Sequence, residues 1–189
     1  MRLYFIRHGQ TAGNAQGRYV GATDEPLCDQ GVRQLGKAAY PAVDLVWVSP
    51  MKRCLETAEL IAPGARLLTV NDFRECDFGE FEYKNYAELN GRADYQAWID
   101  SGGTLPFPGG ESREEFSARC AGAFEALMEK ADFSRDAALV VHGGTIMAIL
   151  EKFGWPRRDY YDYQLPCGGL IRAEVSPGDW AARRLKVDL

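Results

Sequence analysis

Both histidines of this chain stand at the same kind of place, and no others occur. Leu3-Tyr4-Phe5-Ile6 is a short apolar run that gives way to Arg7-His8-Gly9. Ala138-Leu139-Val140-Val141 is a second, giving way to His142-Gly143-Gly144. Short apolar runs bounded by glycine read as buried strands. One histidine at a strand end is most simply structural. Two placed alike imply a shared site, because ligands of open α/β sheets bind just beyond the carboxyl ends of strands. The placement therefore asks for a sheet in which both runs finish at one edge.

The remaining pattern agrees. Short β-rich runs alternate with helical ones, which predicts an α/β fold: a three-layer α/β/α sandwich with a mostly parallel central sheet. Strands are expected at Arg2 to Ile6, Leu45 to Val48, Leu67 to Val70, Ala138 to Val141 and Gly169 to Val175, with a last edge strand at Arg183 to Val187. Asp29 reads as the cap of a helix running to about Tyr40, and Ser49-Pro50 as the cap and first position of a helix to about Ile61. Ser112-Arg113-Glu114-Glu115 is a capping box for a helix to about Lys130, with Phe116, Cys120, Phe124 and Leu127 facing the core. Thr145 to Phe153 is a further helix. Between Asn71 and Gly110, aromatic and glycine-rich sequence predicts short helices and loops.

A chain of 189 residues suits one domain, residues 1–189, with residues from about 76 to 111 as an inserted lid. The net charge of −5 disfavours general binding to nucleic acid or anionic membranes, so an anion site must be a local cluster of arginines. Five scattered cysteines without a C-x-x-C pair suit reduced thiols and give no metal signature. No apolar stretch is long enough to cross a bilayer, and the opening does not resemble a leader, so a cytoplasmic location is expected.

In this topology His8, Ser49 and His142 share one sheet edge. Arg53 follows Ser49 by one helical turn, and helical side chains lean toward the N-terminus, so its guanidinium reaches back to the same edge. Arg7 adds a second cation. Helix N-termini after Ser49 and His142 would supply backbone N–H groups. Such a hollow suits a phosphoryl group, whose oxygens match guanidinium forks.

Six ordered segments between residue 2 and about residue 145 resemble the histidine phosphatase, or phosphoglycerate mutase-like, superfamily. They are Arg7-His8-Gly9 with Thr11 and Asn14; Gly21 to Gly31 (GATDEPLCDQG); and Ser49-Pro50-x-x-Arg53-x-x-x-Thr57-Ala58. The others are Arg74-Glu75 before Phe78-Gly79-Glu80; Phe107-Pro108-Gly109-Gly110-Glu111-Ser112; and Val141-His142-Gly143-Gly144. The resemblance implies a phosphoglycerate mutase-like fold and a phosphohistidine formed on His8. Arg7, Arg53 and His142 would hold the phosphoryl oxygens, with Asn14, Thr23 and Gly143 also on the phosphate. Glu75 would be the general acid. No metal or cofactor is implied, since cationic side chains take that role. The implied partner is a small phosphorylated metabolite, without nucleic acid or membrane, met by a monomer or homodimer.

Plainer readings stand beside these. Arg7 and Arg53 also suit salt bridges, and Glu75 has acidic neighbours in Asp72, Asp77, Glu80 and Glu82. Asn14 also suits its own loop, Thr57 also suits helix packing, and Gly143 and Gly144 also suit a bare turn. Two departures stand out: Phe81-Glu82-Tyr83 replaces tryptophan-glutamate-glycine, and Cys28 replaces a common threonine. The insert from Glu75 to His142 is short and lacks the mutases' E-R-H-Y-G segment, so hydrolysis is expected rather than phosphate transfer. Among phosphatases, the compact length and the rings Phe78, Phe81, Tyr83, Tyr86, Trp98 and Phe107 look most like bacterial α-ribazole phosphatases of cobalamin synthesis. The alternatives are a broad-specificity small-molecule phosphatase, a phosphoglycerate mutase, a phosphotyrosine phosphatase, and a binding protein without turnover.

Overall fold

The computed structural model describes residues 1–188. Its strands are β1 (Arg2–Arg7), β2 (Leu45–Val48), β3 (Arg66–Thr69), β4 (Ala137–Val141), β5 (Gly154–Trp155), β6 (Leu170–Glu174) and β7 (Leu185–Asp188). Its α-helices are α1 (Ala12–Ala15), α2 (Asp29–Leu35), α3 (Lys52–Ile61), α4 (Tyr86–Leu89), α5 (Ala93–Asp100), α6 (Arg113–Met128), α7 (Gly143–Phe153) and α8 (Pro177–Ala181). Short 3-10 turns cover Asn71–Phe73, Gly79–Phe81 and Tyr160–Tyr163.

The sheet runs β3-β2-β4-β1-β6-β7-β5, with β1, β2, β3 and β4 parallel and β6 antiparallel to both its neighbours. Period-2 alternation divides each central strand between two cores. Leu3, Phe5, Trp47, Leu139 and Val141 face one side, where Phe116 and Phe124 of α6 and Ile146 and Ile149 of α7 cover them. Tyr4, Ile6, Val46, Val48, Ala138 and Val140 face the other, under Cys54 and Ala58 of α3. Each side chain of this kind that is fully withdrawn from water contributes about 2 kcal/mol. The predicted three-layer architecture is the one found.

Several predicted boundaries shift for identifiable reasons. The α2 cap is Cys28, whose sulfur accepts the Gly31 N–H at 3.4 Å, so the thiol fills the position where the family commonly has threonine. That helix stops at Leu35 rather than near Tyr40, with Gly36 as its C-cap. On α6 the capping box at Ser112 forms as expected. Its buried stripe is Phe116, Cys120, Phe124 and Met128; Leu127 is only half-buried, because the i, i+4 spacing selects Met128. The helix after β2 starts at Lys52, and Ser49 does not cap it.

Candidate active site

Register places the chemistry. Arg7 pairs with Val141 in the parallel β1–β4 ladder, and Val48 with Val140 in β2–β4, so the residues that follow emerge at one edge. The N–H of His8 donates to the Val141 carbonyl at 2.9 Å, and that of Ser49 to Val140 at 3.1 Å. From this edge α3 crosses to one face and α7 to the other. The divergence opens a cleft where an α/β sheet binds its ligands.

The hydrogen bonds assign both imidazole tautomers. Nδ1 of His8 lies 2.7 Å from the Gly9 carbonyl, which can only accept, so Nδ1 carries the proton and Nε2 keeps its lone pair. In His142, Nδ1 accepts from Nε of Arg53 at 3.3 Å, which leaves Nε2–H to donate to Ser49 Oγ at 2.8 Å. This is the partner that draws Ser49 away from capping. The ring centroids are 5.2 Å apart. Burial, aided by the Arg53 charge, holds both imidazoles well below the usual 6.5.

Arg53 is wholly buried. Four of its N–H groups are committed: Nε to His142, Nη1 to the Thr23 carbonyl at 2.8 Å, and Nη2 to the carbonyls of Gly21 at 2.9 Å and Val20 at 3.4 Å. One N–H on Nη1 remains. Arg7 donates from Nη1 to the Leu165 carbonyl at 2.6 Å, while its buried Nε has no partner. Donors left open in this way mark places where a ligand oxygen fits.

Glu75 accepts the N–H of Cys76 at 3.0 Å and that of Gly144 at 3.4 Å, and burial pushes its carboxyl above 4.5. Asn14 caps its own short helix through Thr11, the plainer of its two expected roles, and it also borders the cavity. Thr57 is a buried peg: its hydroxyl accepts the Gly9 N–H at 2.9 Å and donates to the Arg53 carbonyl at 2.5 Å.

A cavity of about 280 Å³ opens over these groups, walled by Arg7, His8, Asn14, Glu75, Gly143 and Gly144 at the polar end. Arg53 and His142 lie fully buried beside His8 and do not line it. Thr23 is not on its wall either; its backbone serves the site, with its carbonyl on Arg53 and its N–H on Glu82. The helix N-terminus after β2 is occupied too, since the Lys52 N–H donates to Asp24 at 2.7 Å. Of the two helix N-termini expected at the site, that of α7, at Gly143 and Gly144, borders the cavity.

The expected aromatic lid divides. Phe78, Trp98 and Phe107 line the cavity, whereas Phe81, Tyr83 and Tyr86 do not. Tyr83, in the position of the family's glycine, keeps the backbone that glycine would take, with φ of 58°. Its hydroxyl donates to Glu25 at 3.0 Å, outside the cavity. Sequence reasoning missed the opposite wall, formed by Met147, Tyr160, Tyr161 and Gln164 together with Arg113. The tyrosines clustered from Tyr160 to Tyr163 were the available signal.

The histidine phosphatase superfamily (branch 1) model matches residues 3–188. The chain belongs to this superfamily. A metal-independent phosphoserine phosphatase of Arabidopsis thaliana is 32% identical to this histidine phosphatase over 161 residues, covering 78% of this chain and 66% of that protein. The crystal structure of a phosphoglycerate mutase from Thermus thermophilus superposes with a TM-score of 0.72 and 32% identity, covering 100% of this chain and 99% of the other. The α-ribazole phosphatase of Shigella flexneri gives a TM-score of 0.81 at 23% identity, covering 100% and 95%, a likeness of fold. No helix among the described residues is long and apolar enough to cross a membrane.

Proposed function

We propose that this histidine phosphatase hydrolyses phosphate monoesters through a phosphohistidine on His8, with α-ribazole 5′-phosphate as substrate. The observation that carries the reading is the neutral His8 of the cavity wall, whose Nδ1–H is tied to Gly9 so that Nε2 is left unprotonated. Nε2 attacks phosphorus, the P–O bond to the alcohol breaks, and protonated Glu75 gives the leaving oxygen its proton. Water then attacks the phosphoryl group, returns a proton to Glu75 and releases inorganic phosphate with His8 free. Arg7 binds the phosphoryl oxygens directly, through an Nε that has no other partner. Arg53 supplies its remaining N–H and its charge from the buried side, and His142 fixes Arg53. The Gly143 N–H completes the cradle at the start of α7. Positioning and electrostatics supply most of the catalysis.

Leaving-group preference follows from the outer cavity. Tyr19, Phe78, Trp98, Phe107, Phe116 and Tyr160 give it flat apolar walls. Its outer cations are engaged: Arg18 with Glu88 and Arg113 with Glu151, each at 2.8 Å. Stacking on rings suits a planar, uncharged base better than a carboxylate-bearing alcohol. The likeness to a phosphoserine phosphatase supports the alternative of a broader small-molecule specificity.

Hydrolysis of p-nitrophenyl phosphate by wild type and His8→Ala tests the chemistry. The variant is expected to lose at least about three orders of magnitude, the scale for removing a covalent nucleophile. Unchanged activity would place the reaction elsewhere. Turnover of α-ribazole 5′-phosphate, phosphoserine, 3-phosphoglycerate, sugar phosphates and nucleotides tests the substrate. Equal rates across that panel would remove the specific assignment. Efficient interconversion of phosphoglycerates would replace hydrolysis with mutase activity.

A further inference from the structure

Arg53 is a buried cation with no carboxylate in contact among the described residues; its partners are the main-chain carbonyls of Val20, Gly21 and Thr23, and His142. The same stretch of chain is held from its other side. The N–H groups of Gly21 and Thr23 both donate to one oxygen of Glu82, each at 2.9 Å. The second oxygen of Glu82 is buried and has no partner. Gly21 is wedged in place: a Cβ there would come within 2.0 Å of the Cys76 carbonyl and 2.8 Å of Glu82. Two residues, Gly21 and Thr23, thus join a carboxylate to a cation, each with its N–H toward Glu82 and its C=O toward Arg53.

We propose that Glu82 is a positioning residue for Arg53, setting the guanidinium through the Gly21–Thr23 loop without touching substrate. A half-buried carboxylate with one buried oxygen left unpaired costs stability. Its place is explained by what it orders. Two N–H groups converging on one oxygen fix the loop's rotation, and that rotation decides where its carbonyls aim the Arg53 fork. An error of about 1 Å in such a fork is worth up to a hundredfold in rate.

The inference rests on the reading of Arg53 as a phosphoryl-holding group, and the test separates the two. Inhibition by orthovanadate is measured for wild type, Arg53→Gln, Glu82→Ala and the double variant, because an inhibition constant does not depend on how much protein is folded. Glu82→Ala is expected to raise the constant about tenfold. The double variant should match Arg53→Gln alone, since Glu82 acts only through Arg53. Glu82→Gln, which keeps an acceptor oxygen, should stay within about threefold of wild type. If Glu82→Ala does not fold, Glu82→Asp withdraws the same oxygen by one methylene and should raise the constant at least about threefold. A wild-type constant in the variant that folds would overturn the proposal, as would additive effects or a Glu82→Gln as poor as alanine. A wild-type constant in Arg53→Gln would instead overturn the role given to Arg53.

Discussion

His8 and His142 face each other at 66° with opposite tautomers, one protonated on Nδ1 and the other on Nε2. Neither assignment is free to change alone. Gly9 can only accept from His8, and Arg53 can only donate to His142. The pair is therefore a neutral couple held beside cations, and its protonation state bears on folding.

Stability should fall as the solution is acidified below pH 6.5. Both imidazoles titrate well below that value when folded and near it when unfolded, so the unfolded chain binds protons that the folded one refuses. Each histidine contributes a limiting slope of about 1.4 kcal/mol per pH unit. Glu75 acts in the opposite sense: its folded carboxyl, raised above 4.5, takes its proton first as pH falls, which favours the folded state there. Denaturant melts from pH 7 to 5 should show the decline, reduced by one proton in His8→Gln and steepened near its lower end in Glu75→Gln. A flat profile in wild type would contradict burial of two neutral imidazoles.

Glu75→Gln should slow alkyl phosphates at least about tenfold more than p-nitrophenyl phosphate, whose leaving group needs little protonation. The pH profile gives a second check. For alkyl esters, kcat/KM should drop as pH rises through the Glu75 ionisation above 4.5, because the acid form is lost. The p-nitrophenyl ester should lack that limb. Equal slowing of both esters would exclude Glu75 as the proton donor.

The sheet was legible because its signal is local: Leu3 to Ile6 and Ala138 to Val141 are apolar whichever way the chain turns. The edge shared by His8, Ser49 and His142 followed from strand ends alone. What Ser49 does was not legible, since capping and a hydrogen bond to a distant imidazole look identical in sequence. The same holds for Thr23 and Glu82, whose roles depend on which backbone groups of a loop face inward. The wall at Tyr160 and Tyr161 depends on how the segment after α7 returns over the cleft. No periodicity encodes that return.

Thr57 holds the His8 turn from beneath. Thr57→Val removes the acceptor of the Gly9 N–H and strands it in a buried place, which costs about 1–3 kcal/mol. The turn that fixes the His8 tautomer then loosens, and kcat should fall about tenfold. Thr57→Ser retains the hydroxyl and should restore most of both. Thermal melts and steady-state rates on p-nitrophenyl phosphate read the two effects separately. Full activity in the valine variant would show that the turn holds without its peg.

The neighbouring glycines of α7 should respond differently to alanine. At Gly144 a Cβ would come within 2.5 Å of Glu75 Oε1 and 3.0 Å of the Phe116 ring, so the carboxylate must move. Alanine is also the better helix former, which offsets part of the crowding. Gly144→Ala should therefore fold and reproduce the Glu75→Gln pattern, slowing alkyl esters more than the p-nitrophenyl ester. At Gly143 the nearest atom is Arg7 Nε at 3.5 Å, an ordinary contact, so Gly143→Ala should fold without strain. Its methyl instead covers the open donor of Arg7 and should raise KM for both esters alike. Rates on the two ester classes decide the matter: a Gly143→Ala enzyme that discriminates between them, or a Gly144→Ala enzyme that does not, would misassign the acid and the anion cradle.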